Sequence, residues 1–357
     1  MGPGSGSAVE NALFLRLIIL RAMKNKIYEW ADIRDDFKEI LIVGNGGSIA
    51  VHEGFRYSSL FETAKKHGYI SEGVRDVFNH FETNDFEFVL RRLWHAKLVS
   101  DALKLESERI SEAYELVRGA LIKTIAHVHV AYEDAEPHLG AIARFMSGFR
   151  TVASLNYDLI VYWAAMVGND EIAGHQFKDG FVEHDGTAFT SNWRRLQVPR
   201  GGRNTTMFFY PHGNLVLSRR SRDEERKIRA RAGNDLLNSV LTAWETGQGM
   251  PLFVCEGVSE HKMRAISASV YLQQVFREVL YQPEAVVAIY GWSMNKQEEH
   301  IIRQLDACKP ARVAVSVRNG NQQYIQHAYE IFSKMGVADI RFFDSASAGA
   351  WNVPEQS

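Results

Sequence analysis

The chain has 357 residues, 46% of them hydrophobic, enough to bury a large core in one domain or two. A formal net charge of −2 gives no global field that would draw it onto nucleic acid or anionic lipid. With two cysteines, Cys255 and Cys308, a four-thiolate zinc site is excluded and a disulfide scaffold is not expected.

In chain order, "MGPGSGS" at 1–7 reads as a cloning scar, because it lacks the apolar stretch of a signal peptide. The remainder, 8–357, reads as a single domain, and no apolar run reaches membrane-spanning length. A cytoplasmic location is the expectation. The first strand, Glu39–Val43, runs into Gly44, Asn45, Gly46, Gly47 and Ser48. Glycines let a backbone approach a ligand closely, and such a turn presents N–H groups to an anion, with Ser48 adding a hydroxyl. A tight structural turn is the other reading, and these residues alone leave both open.

The interval of about 56–148 reads as a helical insertion. Apolar residues fall at Phe86, Val89, Leu90, Leu93 and Trp94, and again at Ile110, Ala113, Leu116, Val117, Leu121 and Ile125. Both sets have the spacing of amphipathic helices. "TND" at Thr83–Asp85 supplies an N-cap.

The next strand, Thr151–Leu155, ends at Asn156, Tyr157 and Asp158. Polar groups at the carboxyl end of such a strand face a ligand, or cap the following helix. The interval of about 168–205 is rich in Gly, Asp, His and Asn and reads as an irregular loop or lid. Met207–Tyr210 breaks at Pro211, His212 and Gly213, which makes His212 a candidate general base, or a structural histidine beside a turn. "SRRSRDEERKIRARAG", 218–233, reads as a solvated helix with i,i+4 ion pairs, or as a phosphate- or partner-binding face.

Two further junctions repeat the form of the first. Leu252–Glu256 leads through Gly257 and Ser259 into a helix at Lys262–Leu280. Ala285–Tyr290 leads through Gly291 and Ser293 into a helix at Gln297–Asp306. Strands at Arg312–Val317 and Asp339–Phe343 follow. Most of these runs are apolar throughout, as in strands covered on both faces. The expected fold is α/β, a Rossmann-like, mostly parallel sheet with helices on both faces and a helical insertion after the first strand. Three strand–Gly–Ser–helix junctions point to one nucleotide crevice. No metal is expected: Glu298–His300 ("EEH") on a helix would spread over different faces, with His300 packing or hydrogen-bonding near the Gly291 loop.

Taken in order, Gly44–Ser48, Asn156–Asp158, His212–Gly213 and Gly291–Ser293 resemble the motifs of the sirtuin-like superfamily. The nearest resemblance is to bacterial sirtuin-like proteins of anti-phage defence, which carry Asn-Tyr-Asp. Stretches such as "FRYSSLFETA" and "GWSMNKQEEHI" look like a bacterial domain family within that superfamily. The resemblance implies NAD as substrate and cleavage of its nicotinamide–ribose bond, giving nicotinamide and ADP-ribose. Gly44, Asn45, Gly46, Gly47 and Ser48 would then cradle phosphate. Tyr157, Gly291 and Ser293 would complete the nucleotide site. Asn156 would position water, His212 would take a proton, and Asp158 would orient the loop or stabilise positive charge.

The chain lacks the zinc cysteines of protein deacylases, which argues against deacylation. A non-catalytic NAD or ADP-ribose sensor is the main alternative, and a metal-dependent phosphate-transfer enzyme is another. The expected partner is a small nucleotide, with no nucleic acid and no membrane. A second copy of the chain or a defence-system protein could complete the site.

Overall fold

A computed structural model describes residues 26–56, 59–184, 186–198, 204–220, 224–230, 235–254 and 258–355. Residues 1–7 and Gly257 lie outside these. Thirteen strands are present among the described residues. The first seven are β1 (Ile27–Tyr28), β2 (Ile40–Val43), β3 (Thr151–Ser154), β4 (His175–Lys178), β5 (Phe181–Glu183), β6 (Ala188–Phe189) and β7 (Asn204–Phe209). The others are β8 (Gly213–Arg219), β9 (Glu225–Lys227), β10 (Met250–Phe253), β11 (Val286–Tyr290), β12 (Arg312–Val317) and β13 (Asp339–Asp344).

Eight strands form one parallel sheet in the order β1-β13-β12-β11-β2-β3-β7-β4. Every residue of β2 and β3 is buried. Side chains alternate between faces along a strand, so both faces of the sheet are covered. From β2 the chain steps outward to β3 and to the edge strand β4, comes back between them as β7, then crosses to the other side of β2 as β11 and continues to β12 and β13. The topological switch therefore lies between β2 and β11, and ligands of open α/β sheets bind at such a point, outside the carboxyl ends of the strands.

The expected insertion is present as helices Leu60–Lys66, Glu72–His80, Phe86–Leu103, Glu108–Val128 and Tyr132–Ser147. Asp85 caps the third, its carboxylate accepting from Glu87 N–H and Phe88 N–H. Among the described residues, no helix is long and apolar enough to cross a membrane.

Several local expectations are corrected. The interval expected as an irregular lid contains the edge strand β4, which pairs with β7, and the small β5–β6 hairpin. His175 and Phe177 are buried there while Gln176 and Lys178 are half-buried, an alternation too short to stand out in the sequence. The basic segment 218–233 is not a helix where it is described: Glu225–Lys227 is strand β9, paired antiparallel with β8. β10 leaves the parallel sheet and also pairs antiparallel with β8. The helix expected over Lys262–Leu280 is broken into Ser259–Ser267 and Val270–Gln274, followed by a π turn at Val275–Val279. Ser269 makes the break by accepting from Leu272 N–H at 3.1 Å.

Candidate active site

Four of the strand ends singled out by sequence are neighbours in the sheet, β11-β2-β3-β7. They are bonded to one another at their carboxyl ends. Gly44 N–H donates to Tyr290 O at 2.9 Å, and Gly46 N–H donates to Gly291 O at 2.7 Å. Asn156 Nδ2 donates to Gly44 O at 3.0 Å and to Ser48 Oγ at 2.8 Å. His212 Nδ1 lies 3.3 Å from Leu155 O, and since a carbonyl only accepts, Nδ1 carries the proton.

The glycine-rich segment is not a free turn. The helix Asn45–Val51 starts directly after Gly44. Its glycines answer a packing demand: a Cβ on Gly46 would lie 2.7 Å from Gly291 Cα, and one on Gly44 would lie 2.5 Å from Trp292 Cα. Gly291 has φ +65°, and a Cβ there would meet Gly47 N at 2.4 Å. The N–H groups of Gly44, Gly46 and Gly47 are all taken by carbonyls, Gly47 donating to Gly44 O at 2.9 Å. The expected phosphate cradle is therefore corrected for these three N–H groups. Asn45 is exposed, with its side-chain amide on Phe55 O at 3.3 Å.

Ser48 is fully buried, and its hydroxyl donates to Asp158 Oδ2 while accepting from Asn156. Its single proton is used internally, which corrects its expected role as a ligand donor. Asp158 accepts a second bond from Ile160 N–H at 3.0 Å, at the start of the helix Ile160–Glu171. Burial pushes the Asp158 carboxyl up to about 6, against the Ser48 and Ile160 bonds that favour the charged form. Asp158 thus acts here as an anchor beneath the strand ends. Asn156 differs: both of its amide protons are used, but Oδ1 accepts no hydrogen bond among the described residues and can take one from a ligand or water. Tyr157 stacks on Phe253 with ring centroids 5.0 Å apart. Ser293 is exposed and accepts from Asn295 Nδ2.

The tertiary structure gathers four residues around His212. His300 Nε2 lies 2.8 Å from His212 Nε2, and Glu298 Oε2 lies 3.5 Å from the same atom. Glu298 sits in a 3₁₀ turn, Lys296–Glu298, rather than in the following helix, Glu299–Cys308. That turn lets Glu298 and His300 converge, which corrects the expectation that they occupy different faces. Lys262 Nζ holds Glu298 Oε1 at 2.5 Å, while Glu298 Oε2 is buried with no hydrogen-bond partner. Ser259 Oγ lies 3.2 Å from His300 Nδ1 and accepts from His300 N–H.

The tautomers follow from this chain of contacts. With its proton on Nδ1, neutral His212 has a lone pair on Nε2, so His300 donates from Nε2 and accepts from Ser259 at Nδ1. Burial lowers the His212 imidazole to about 4 and the His300 imidazole to about 3, with the nearby Lys262 charge acting in the same direction. Both are neutral near pH 7. Burial works against the Glu298 charge, while the Lys262 ammonium favours it by charge and by its hydrogen bond, and the carboxyl lies below its ordinary range.

Residues 41–351 match a family described as a domain of unknown function, DUF4917. The chain belongs to the DUF4917 family. Comparison with curated proteins found no match.

The DUF4917 span contains the whole stitched edge and ends on a residue that supports it. Trp351 is buried, donates from Nε1 to Gly47 O at 2.8 Å, and stacks on Tyr290 with centroids 5.2 Å apart. Sequence reading missed Trp351, Glu298, Lys262 and the contact of Ser259 with His300. The "EEH" fragment and the Gly257–Ser259 junction were the available signals. Neither shows by itself that both segments fold back onto His212.

Proposed function

We propose that this DUF4917 chain is an NAD glycohydrolase, cleaving NAD to nicotinamide and ADP-ribose. The observation that carries this reading is the adjacency of the four sirtuin-like motifs on β11-β2-β3-β7, at the topological switch of the sheet. NAD carries its own leaving group, a cationic pyridinium, so the C1′–N bond breaks with the electron pair going to nicotinamide. Water then attacks C1′. Asn156 Oδ1 is the free acceptor that would orient this water. His212 Nε2 would take its proton once substrate displaces the bond from His300. Asp158 and Ser48 hold Asn156 in place rather than touching substrate. A positioned general base contributes roughly 10²–10⁴-fold in rate.

The engagement of His212 Nε2 by His300 favours a second reading, a nucleotide sensor that binds without turnover. One experiment separates the two. The purified chain is incubated with NAD, products are resolved by chromatography, and thermal shifts with NAD are recorded for wild type, Asn156→Ala and His212→Ala. The expected outcome is nicotinamide release by wild type and a loss of at least about 100-fold in each folded variant. NAD-dependent stabilisation without release supports the sensor, and neither response rejects both readings.

A further inference from the structure

We propose that His212, Glu298 and His300 form a binding site for a divalent transition-metal ion of the zinc class. One ligand atom from each of the three lies within 4.8 Å of the others. Two imidazoles and a carboxylate are a donor set that zinc accepts, with a fourth position left for water. Tetrahedral ligands at zinc distances are about 3.3 Å apart. The two imidazole Nε2 atoms are 2.8 Å apart, and the His212 Nε2–Glu298 Oε2 separation is 3.5 Å. Small side-chain movements would therefore admit an ion.

Two further observations point to a ligand. Glu298 Oε2 is buried 3.5 Å from His212 Nε2 and has no hydrogen-bond partner, an arrangement that costs free energy unless something occupies it. The outer contacts are also those of metal ligands: His212 Nδ1–H is fixed on Leu155 O, His300 Nδ1 faces Ser259 Oγ, and Lys262 anchors the other carboxylate oxygen. Such partners fix the ring orientation and tautomer of a ligating histidine. On metal binding His300 moves its proton from Nε2 to Nδ1, where Ser259 Oγ can accept it. Both Nε2 lone pairs then face the ion.

Binding does not depend on the NAD reading. It does restrict that reading, because an ion on His212 Nε2 occupies the lone pair a general base needs. Metal loading and NAD cleavage would exclude one another.

The test is a zinc titration of the untagged, chelator-treated full chain against a chromophoric chelator, with no activity readout. Glu298→Gln, His300→Ala and Ser259→Ala are run alongside, and circular dichroism checks each fold. We expect one zinc per wild-type chain. Ser259→Ala, which keeps all three ligands, should weaken binding about 10–100-fold, and loss of a ligand should weaken it at least as much. Cobalt substitution should give the intense visible absorption of a four-coordinate ion. Absence of stoichiometric zinc overturns the proposal. So does zinc binding that is unchanged in folded Glu298→Gln and His300→Ala.

Discussion

Ser48 shows how a residue picked out by sequence can serve a different purpose in the fold. A serine after glycines suggests a donor to phosphate, yet its hydroxyl bridges Asn156 and Asp158 inside the protein. Ser48→Ala would leave a buried carboxylate oxygen and a buried amide proton without that partner. Unsatisfied buried groups cost about 1–3 kcal/mol each. We expect equilibrium urea unfolding to show a loss of about 2–6 kcal/mol for Ser48→Ala, the two groups together, with an unchanged m-value. An unaltered midpoint would mean that the bridge does not hold Asn156. His212 is the converse case. Its position at a strand end was legible from Pro211-His212-Gly213, but its partners, 86 and 88 residues along the chain (298 − 212 and 300 − 212), were not. No local pattern encodes a contact of that separation.

At the scale of elements, the junction of β2 with the helix Asn45–Val51 is locked against the end of β11. Gly291 is constrained twice, by φ +65° and by Gly47 N at 2.4 Å from a would-be Cβ. Gly336 has φ +87° but open space around its would-be Cβ, so it isolates the backbone cost. Gly336→Ala should cost about 1–2 kcal/mol. Gly291→Ala should cost about 1–3 kcal/mol more, since the neighbouring backbone has to move. Equal losses in denaturant melts would show that the close approach is not a constraint. The parallel strands were legible because burial on both faces demands continuous apolar runs such as "ILIV" and "VVAIY". Strand β4 was missed because its short run is polar at alternate positions, and β9 because its glutamate, arginine and lysine read as an exposed helix. Pairing with β7 and β8 decides these segments, and propensity does not.

Across the whole molecule, stability should depend on buried neutral histidines. His129 accepts from Leu159 N–H at Nε2 and faces Val130 O with Nδ1, so the neutral ring satisfies both contacts. Burial lowers it to about 4, as it does His212, and His300 to about 3. The ordinary imidazole titrates near 6.5, so between about 6.5 and 4 the unfolded chain binds more protons than the folded one. Stability is then lost as pH falls through that window. Asp158, raised to about 6, acts in the opposite sense, because the folded state keeps its proton there. Burial also lowers His175 and raises Glu87, so four histidines stand against two carboxyls and give a net loss. The melting temperature should fall steadily from pH 7 to pH 4.5, and His129→Gln should flatten part of the slope. A flat or rising profile would contradict the burial of these rings.

The sequence by itself determined the α/β class, the helical insertion and four of the strand ends, since each rests on a repeat or a turn within a few residues. The tertiary structure alone decided what those ends do. Sheet order brought β11 beside β2, and this turned apparent phosphate-binding glycines into close-packing glycines. It also gathered His212, Glu298, His300, Ser259 and Lys262 into one cluster around three buried side chains, His212, His300 and Lys262. The physical reason is range: hydrophobic periodicity and turn chemistry act between near neighbours in the chain, whereas hydrogen-bond partners and burial are set by segments that meet only when the sheet assembles.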